Sequence, residues 1–204
     1  MNVSEVTLNI GENSYTGEMV VPDETSDRGI LVIPGASHGP FGDVFDRLTE
    51  AGANDGHVVA RFETWTNPDD LSEKTEADFE AEIRAGVEFL RSQGCSTISI
   101  VAKSFGGRLA LTHLPEAVDR LVLWAPAILF GAQSDTPSIT ADELADIELP
   151  VRILQGDEDD VVDIENAVAL SENLPNGEVV ELPGEDHSFL HSEADIIEAT
   201  MSFL

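Results

Sequence analysis

The stretch from Ile98 to Leu111 constrains this chain more than any other. An apolar, β-branched run stops at Ser104, Gly106 and Gly107 follow almost at once, and an alanine- and leucine-rich helical pattern takes over. The order is strand, tight turn, helix, with a hydroxyl at the apex. Small residues around the serine let the backbone bend sharply enough to push that hydroxyl out of the sheet. The amide of Phe105 then stands at a helix N-terminus, where unpaired N–H groups and the helix dipole favour developing negative charge. A serine that only caps a helix after a strand carries the same local pattern. The rest of the chain has to decide between the two.

Strands and helices alternate around this turn. Val6–Ile10 and Tyr15–Val21 alternate about Gly11-Glu12-Asn13 and predict an antiparallel hairpin. Gly29–Ile33 is a continuous apolar strand that runs into the loop Pro34-Gly35-Ala36-Ser37-His38-Gly39-Pro40. Phe41–Ala51 reads as helix, Val58–Phe62 as strand, and Trp65–Thr75 as a polar, proline-containing loop. Phe79, Ile83, Val87 and Leu90 form one helical stripe closed by Gly94. Strands at Ile98–Val101, Leu121–Trp124, Val151–Leu154 and Val179–Leu182 alternate with helices at Gly106–His113, Ile164–Leu174 and Ala194–Phe203. Ser192-x-x-Asp195 gives the last helix a capping-box pattern. The expectation is an α/β fold: a mostly parallel, doubly wound sheet with helices on both faces and an N-terminal antiparallel hairpin. With 204 residues and no linker or repeat, a single domain over residues 1–204 is expected. Ligands of such sheets collect at the carboxyl ends of the strands, and Ser104 stands at one of them.

Charge narrows the partners. Forty acidic residues against 10 basic ones give a net charge of −30, which excludes nucleic acid and anionic membrane surfaces as natural partners. A hydrophobic content of 42% and clear periodicity argue against disorder. Carboxylates spread along the whole chain suit a fold working in multimolar salt, where the screening length shrinks to ~3 Å. The expectation is a halophilic, archaeal, cytoplasmic protein. Its one cysteine, Cys95, rules out a disulfide framework, no charged-then-apolar leader opens the chain, and no run reaches the ~18 apolar residues of a membrane span.

A serine needs a base, and the base needs an orienting acid. Asp157, Glu158, Asp159 and Asp160 directly follow the strand Val151–Leu154 and its Gln155-Gly156 extension. His187 follows the last strand, which puts it on the same rim. Serine, acid, histidine is the chain order of a hydrolase triad on an α/β sheet. The run of acids also invites a calcium reading, but it lacks the central glycine and closing glutamate of an EF-hand loop, so no metal is expected.

With these pieces in place the chain resembles a small member of the α/β-hydrolase superfamily, similar to its dienelactone-hydrolase-like branch. The likeness runs from the Pro34-Gly35-Ala36 loop to the final helix. The superfamily's Gly-x-Ser-x-Gly reads here as Ala102-x-Ser104-x-Gly106. Its acid lies three residues after a glycine in a Gly-x-x-Asp-x-x-Val pattern; carried onto Gly156 to Val162 this selects Asp159, with Asp157 and Asp160 as fallbacks. Dienelactone hydrolases carry a cysteine at the elbow, whereas this chain has serine there and holds Cys95 in a turn before the strand. The resemblance implies an oxyanion hole formed by the amide of Phe105 and one from the loop after Gly29–Ile33. His38-Gly39-Pro40 fits the family's letters, but Pro40 has no N–H, so the second donor is taken to be Ala36.

Further residues carry weaker claims as substrate contacts. His38 reaches toward the rim from the same loop, or bonds its own backbone. Arg61 ends a strand near the rim and suits a carboxylate-bearing substrate, although in so acidic a chain an acidic neighbour is the preferred partner; the same discount falls on Lys103 and Arg108. Trp124 opens an unusually apolar loop that either lines an acyl pocket or covers the core. His191 reads as surface, and His57 and His113 lie away from the rim. Between Trp124 and Val151 there is too little chain for a cap domain, so an open site is expected. It would take a small ester, thioester or lactone without a cofactor. An acyltransferase, a cofactor-free perhydrolase and a catalytically silent interaction protein are the alternatives.

Overall fold

The computed structural model describes residues 1–133 and 136–204. Strands β1 (Asn2–Ile10) and β2 (Asn13–Val21) form the leading hairpin. They are followed by β3 (Arg28–Ile33), α1 (Asp43–Asn54), β4 (Val58–Phe62), α2 (Pro68–Ser72), α3 (Glu76–Ser92), β5 (Thr97–Lys103) and α4 (Phe105–Thr112). The second half holds β6 (Arg120–Trp124), β7 (Leu129–Phe130), β8 (Ser138–Ile139), α5 (Ala141–Ala145), β9 (Val151–Gly156), α6 (Ile164–Asn173), β10 (Gly177–Leu182) and α7 (Glu193–Met201). Eight strands make one sheet in the order β1-β2-β4-β3-β5-β6-β9-β10. Only the β1–β2 and β2–β4 pairings are antiparallel. Strands β3, β4, β5, β6, β9 and β10 all run parallel.

The doubly wound arrangement follows from strands that are apolar on both faces. In β3, Leu31 and Ile33 enter the core shared with Phe79, Ile83, Val87 and Leu90 of α3, whereas Ile30 and Val32 enter the opposite core with Val44, Phe45 and Leu48 of α1. Full burial of each such side chain favours the fold by about 1.5–3 kcal/mol. A box formed by Thr75 and Asp78 starts α3, satisfying two otherwise orphaned amides.

Three local expectations change. The first helix begins at Asp43, leaving Phe41 outside it and 37% exposed, because Gly42 turns the chain at φ +87°. The polar 65–75 loop carries one short helix, α2, capped by Asn67 with Pro68 at its first position. The Ser192 capping box does not form: its hydroxyl caps nothing, and its backbone N–H is drawn to the buried Glu185 carboxylate at 2.7 Å. Between β6 and β9, the described residues hold the two-stranded β7–β8 ribbon and α5, and no cap domain. No helix among them is long and apolar enough to cross a membrane.

Candidate active site

Ser104 leaves β5 and precedes α4 with φ 51° and ψ −115°, a left-handed backbone that costs a non-glycine residue about 1–3 kcal/mol. Its neighbours make the bend sterically feasible. A Cβ at Gly106 would lie 2.4 Å from the Pro34 carbonyl oxygen, and one at Gly107 would lie 3.0 Å from Pro126. The Ser104 N–H donates to the Trp124 carbonyl at 2.8 Å, and its own carbonyl accepts from Arg108 and Ala127. The non-glycine residues with positive φ among the described residues are Asp43, Ser104, Ala125 and Phe189. Asp43 and Ser104 line one cleft, Ala125 follows the strand that holds the Ser104 amide, and Phe189 lies two residues beyond His187.

At the apex, the Ser104 hydroxyl donates to His187 Nε2 at 2.9 Å, and His187 Nδ1 donates to Asp159 Oδ2 at 2.8 Å. A ring whose Nδ1–H faces a carboxylate presents Nε2 as an acceptor, so the serine proton has somewhere to go. The Asp159 side chain is fully buried. Burial alone would raise its pKa, but hydrogen bonds from His187 and from the amides of Val162 and Val161 outweigh that and hold it below the usual carboxylate value. Oδ1 accepts both amides at 2.9 Å, and Oδ2 also accepts from the Gln155 side chain at 2.8 Å. Of the other acids in the run, Asp157 accepts the Gly184 N–H at 2.6 Å, and Asp160 is exposed.

These groups open onto a cleft of about 330 Å³ lined by Gly35, Ala36, His38, Phe41, Phe45, Lys103, Ser104 and His187, among others. A Cβ built on Gly35 would stand 3.5 Å from that of Ser104, so the loop after β3 lies against the elbow. Neither the Ala36 nor the Phe105 amide has a hydrogen-bond partner among the described residues. Phe105 is the first residue of α4, where such orphan donors are expected. Two free N–H groups beside a hydroxyl–imidazole–carboxylate chain can support nucleophilic attack and a developing oxyanion.

The Dienelactone hydrolase family model matches residues 42–202. The chain belongs to the dienelactone hydrolase family. Hydrolysis is the activity that membership supports. Solved structures of similar shape include Est1E from Butyrivibrio proteoclasticus, 17% identical with a TM-score of 0.82, covering 98% of this chain and 96% of that one. A dienelactone hydrolase from Anabaena variabilis is 16% identical with a TM-score of 0.78, covering 98% and 95%. A serine hydrolase from Cycloclasticus zankles is 14% identical with a TM-score of 0.79, covering 99% and 98%. At such identities the likeness establishes the α/β-hydrolase fold. No curated protein matches the chain.

Within this member of the dienelactone hydrolase family, two possible substrate contacts, Arg61 and Trp124, take their other reading, an acidic partner for the first and core coverage for the second. Arg61 is buried and does not line the cleft; it binds Glu18 and Asp46, both at 2.6 Å, and the Pro40 carbonyl, as a desolvated guanidinium must. Trp124 is fully buried, stacked on Phe45 and Phe189, with its indole N–H on Thr200 Oγ1 at 3.0 Å. It belongs to the core behind the cleft. His38 is exposed and lines the cleft, and Lys103 lines it while donating to the Ser188 carbonyl at 2.6 Å. Arg108 and His113 both bind Glu76, and His191 sits on Glu185. Cys95 is buried against Gly29, and burial pushes its thiol pKa up, the wrong direction for a nucleophile.

Two contributors escape sequence reasoning. Gln155 is a fully buried amide at the end of β9, and a polar residue closing an apolar strand at the rim is the signal for it. Trp65, a lone tryptophan in a polar loop, donates its indole N–H to the Gly35 carbonyl at 2.9 Å.

Proposed function

We propose that this protein is a serine esterase that cleaves a small ester, thioester or lactone through an acyl-enzyme. The observation that carries this reading is the continuous Ser104–His187–Asp159 hydrogen-bond chain, at 2.9 and 2.8 Å. Ser104 Oγ attacks the carbonyl carbon as its proton passes to His187 Nε2, and the Asp159 carboxylate stabilises the imidazolium. The carbonyl oxygen gains the negative charge and accepts hydrogen bonds from Ala36 and Phe105. Collapse expels the alcohol or thiol, which takes the proton from His187. Water then attacks the acyl-enzyme with His187 as base and releases the acid.

The cleft supports a compact substrate with an apolar group. Phe41 and Leu190, 37% and 48% exposed, border it in a chain that exposes few large hydrophobic side chains. Est1E has been captured with ferulic acid, so an aromatic acid ester belongs in the substrate panel. The test uses p-nitrophenyl esters of increasing acyl length, an alkyl ester of an aromatic acid and a serine-directed phosphonate, all in molar KCl. Wild type is expected to turn over short acyl esters and to be labelled once; Ser104→Ala loses both properties, and His187→Ala loses turnover. Labelling that survives in Ser104→Ala rules the reading out.

A further inference from the structure

We propose that Trp65 is a positioning residue for the oxyanion hole, its indole N–H aiming the Ala36 amide at the substrate carbonyl. This rests on the serine-hydrolase reading above. The Gly35 carbonyl and the Ala36 N–H belong to one planar trans peptide unit and therefore point in opposite directions. A donor that pins the carbonyl fixes where the amide points. Trp65 Nε1 is that donor, 2.9 Å from the Gly35 oxygen. The unit would otherwise be easy to rotate, since glycine on one side tolerates nearly any backbone angle.

Trp65 is itself rigidly held. It is 3% exposed and packs edge-to-face on Phe79 at 6.0 Å and on Phe105 at 5.9 Å, while Phe79 and Phe105 pack on each other at 5.4 Å. Phe105 supplies the other proposed donor. One indole therefore bonds the peptide carrying the first N–H and packs on the side chain of the residue carrying the second. Core packing explains a ring at position 65 but not an N–H directed at the Gly35 carbonyl. Phenylalanine would fill most of the same space.

The experiment compares wild type with Trp65→Phe, which keeps an aromatic ring and removes the donor. Active sites are first counted by phosphonate titration. The turnover per titrated site is expected to fall ~10-fold, less than the ~10²–10³ of losing a whole donor, with KM for p-nitrophenyl acetate within about twofold. Affinity for an aryl boronic acid, whose tetrahedral adduct on Ser104 puts an oxygen in the hole, is expected to fall by the same factor. A residue that only supported the fold would lower the count of titratable sites and leave turnover per site and boronate affinity unchanged. That result overturns the proposal. In ¹⁵N-labelled wild type, boronate binding is expected to move the Ala36 and Phe105 amide resonances while the Trp65 indole proton stays protected from exchange. An indole proton that exchanges freely also overturns it, whatever the folding of the variant. Failure of the underlying reading looks different: activity and labelling would then persist in Ser104→Ala.

Discussion

Gln155 donates one amide hydrogen bond to Asp159 Oδ2 and another to the Val162 carbonyl, both at 2.8 Å, clamping the loop on which the proposed triad acid sits. Gln155→Leu takes the side-chain donor from the buried Val162 carbonyl, a loss of about 1–3 kcal/mol for a buried group left unsatisfied, and leaves Asp159 Oδ2 with His187 as its remaining donor. Urea unfolding is expected to shift to a lower midpoint, and kcat to fall several-fold as the carboxylate loosens. An unchanged midpoint would contradict the clamp.

The acid itself is tested by a set of amide substitutions. Asp159→Asn would present an amide to His187 Nδ1 and favour the wrong tautomer, so kcat is expected to fall by ~10³–10⁴. Asp157 and Asp160 make no contact with the imidazole, and their asparagine variants should stay within about threefold of wild type. Steady-state kinetics on one p-nitrophenyl ester separates the three, and equal losses would remove Asp159 from its role.

Gly106 sets the distance between the elbow and the loop after β3. A methyl group there would meet backbone oxygen at 2.4 Å and the side chain of Ile33 at 2.8 Å, neither of which can swing away freely. Gly106→Ala is expected to lose up to ~10²-fold in kcat through misplacement of the Pro34–Ala36 loop. Gly11→Ala, where nothing lies within 4 Å of the new methyl but φ is +59°, strains a hairpin turn away from the elbow and serves as the control: it is expected to lower stability and leave kcat unchanged.

Acid should destabilise this protein through its capped and buried carboxylates. Hydrogen bonds lower the pKa of Asp78 (from Thr75), Glu143 (from Thr140) and Asp186 (from Ser188), and Asp159 is lowered against its burial. A depressed native pKa means the unfolded chain takes up the proton first as pH falls. The stability these groups contribute is complete above the unfolded carboxylate range, about pH 4, and is lost below it as pH passes through the native values. Calorimetry in molar KCl, where general repulsion is screened, should show Tm dropping below that pH, with a shallower slope for Asp159→Asn.

Salt should act in the opposite sense. Forty carboxylates against 10 cations repel one another in the compact state, and molar salt shortens the range of that repulsion to ~3 Å. Each kcal/mol relieved adds about 2–4 °C to Tm for a chain of this size. Melting curves from low to molar KCl should climb steadily; a flat series would argue that the charge is no adaptation to salt.

The mostly parallel sheet with its leading hairpin, the elbow and the hydrogen-bonded trio were legible because each rests on local grammar: apolar runs, glycines after a serine, acids after one strand and a histidine after another. Trp124 and Arg61 stood open between two readings for a common reason. Both stand at strand ends, but at such an end one side faces the cleft and the other the core or a neighbouring strand, and spacing alone does not separate them. Trp65 and Gln155 act on partners chosen by the fold: Trp65 reaches a carbonyl 30 residues away, and Gln155 closes back on its own loop. Ser192 had the letters of a capping box, but a buried glutamate outside that motif took its backbone.

His187 follows β10, the outermost strand of the sheet, whereas Ser104 follows β5 near its middle. The two halves of the proposed proton relay thus hang from parts of the structure that need not come apart together. Peeling back a single border strand would carry the imidazole away and silence the chemistry while the interior stayed folded. Inactivation on warming would then run ahead of melting, and could be reversed simply by letting the border close again.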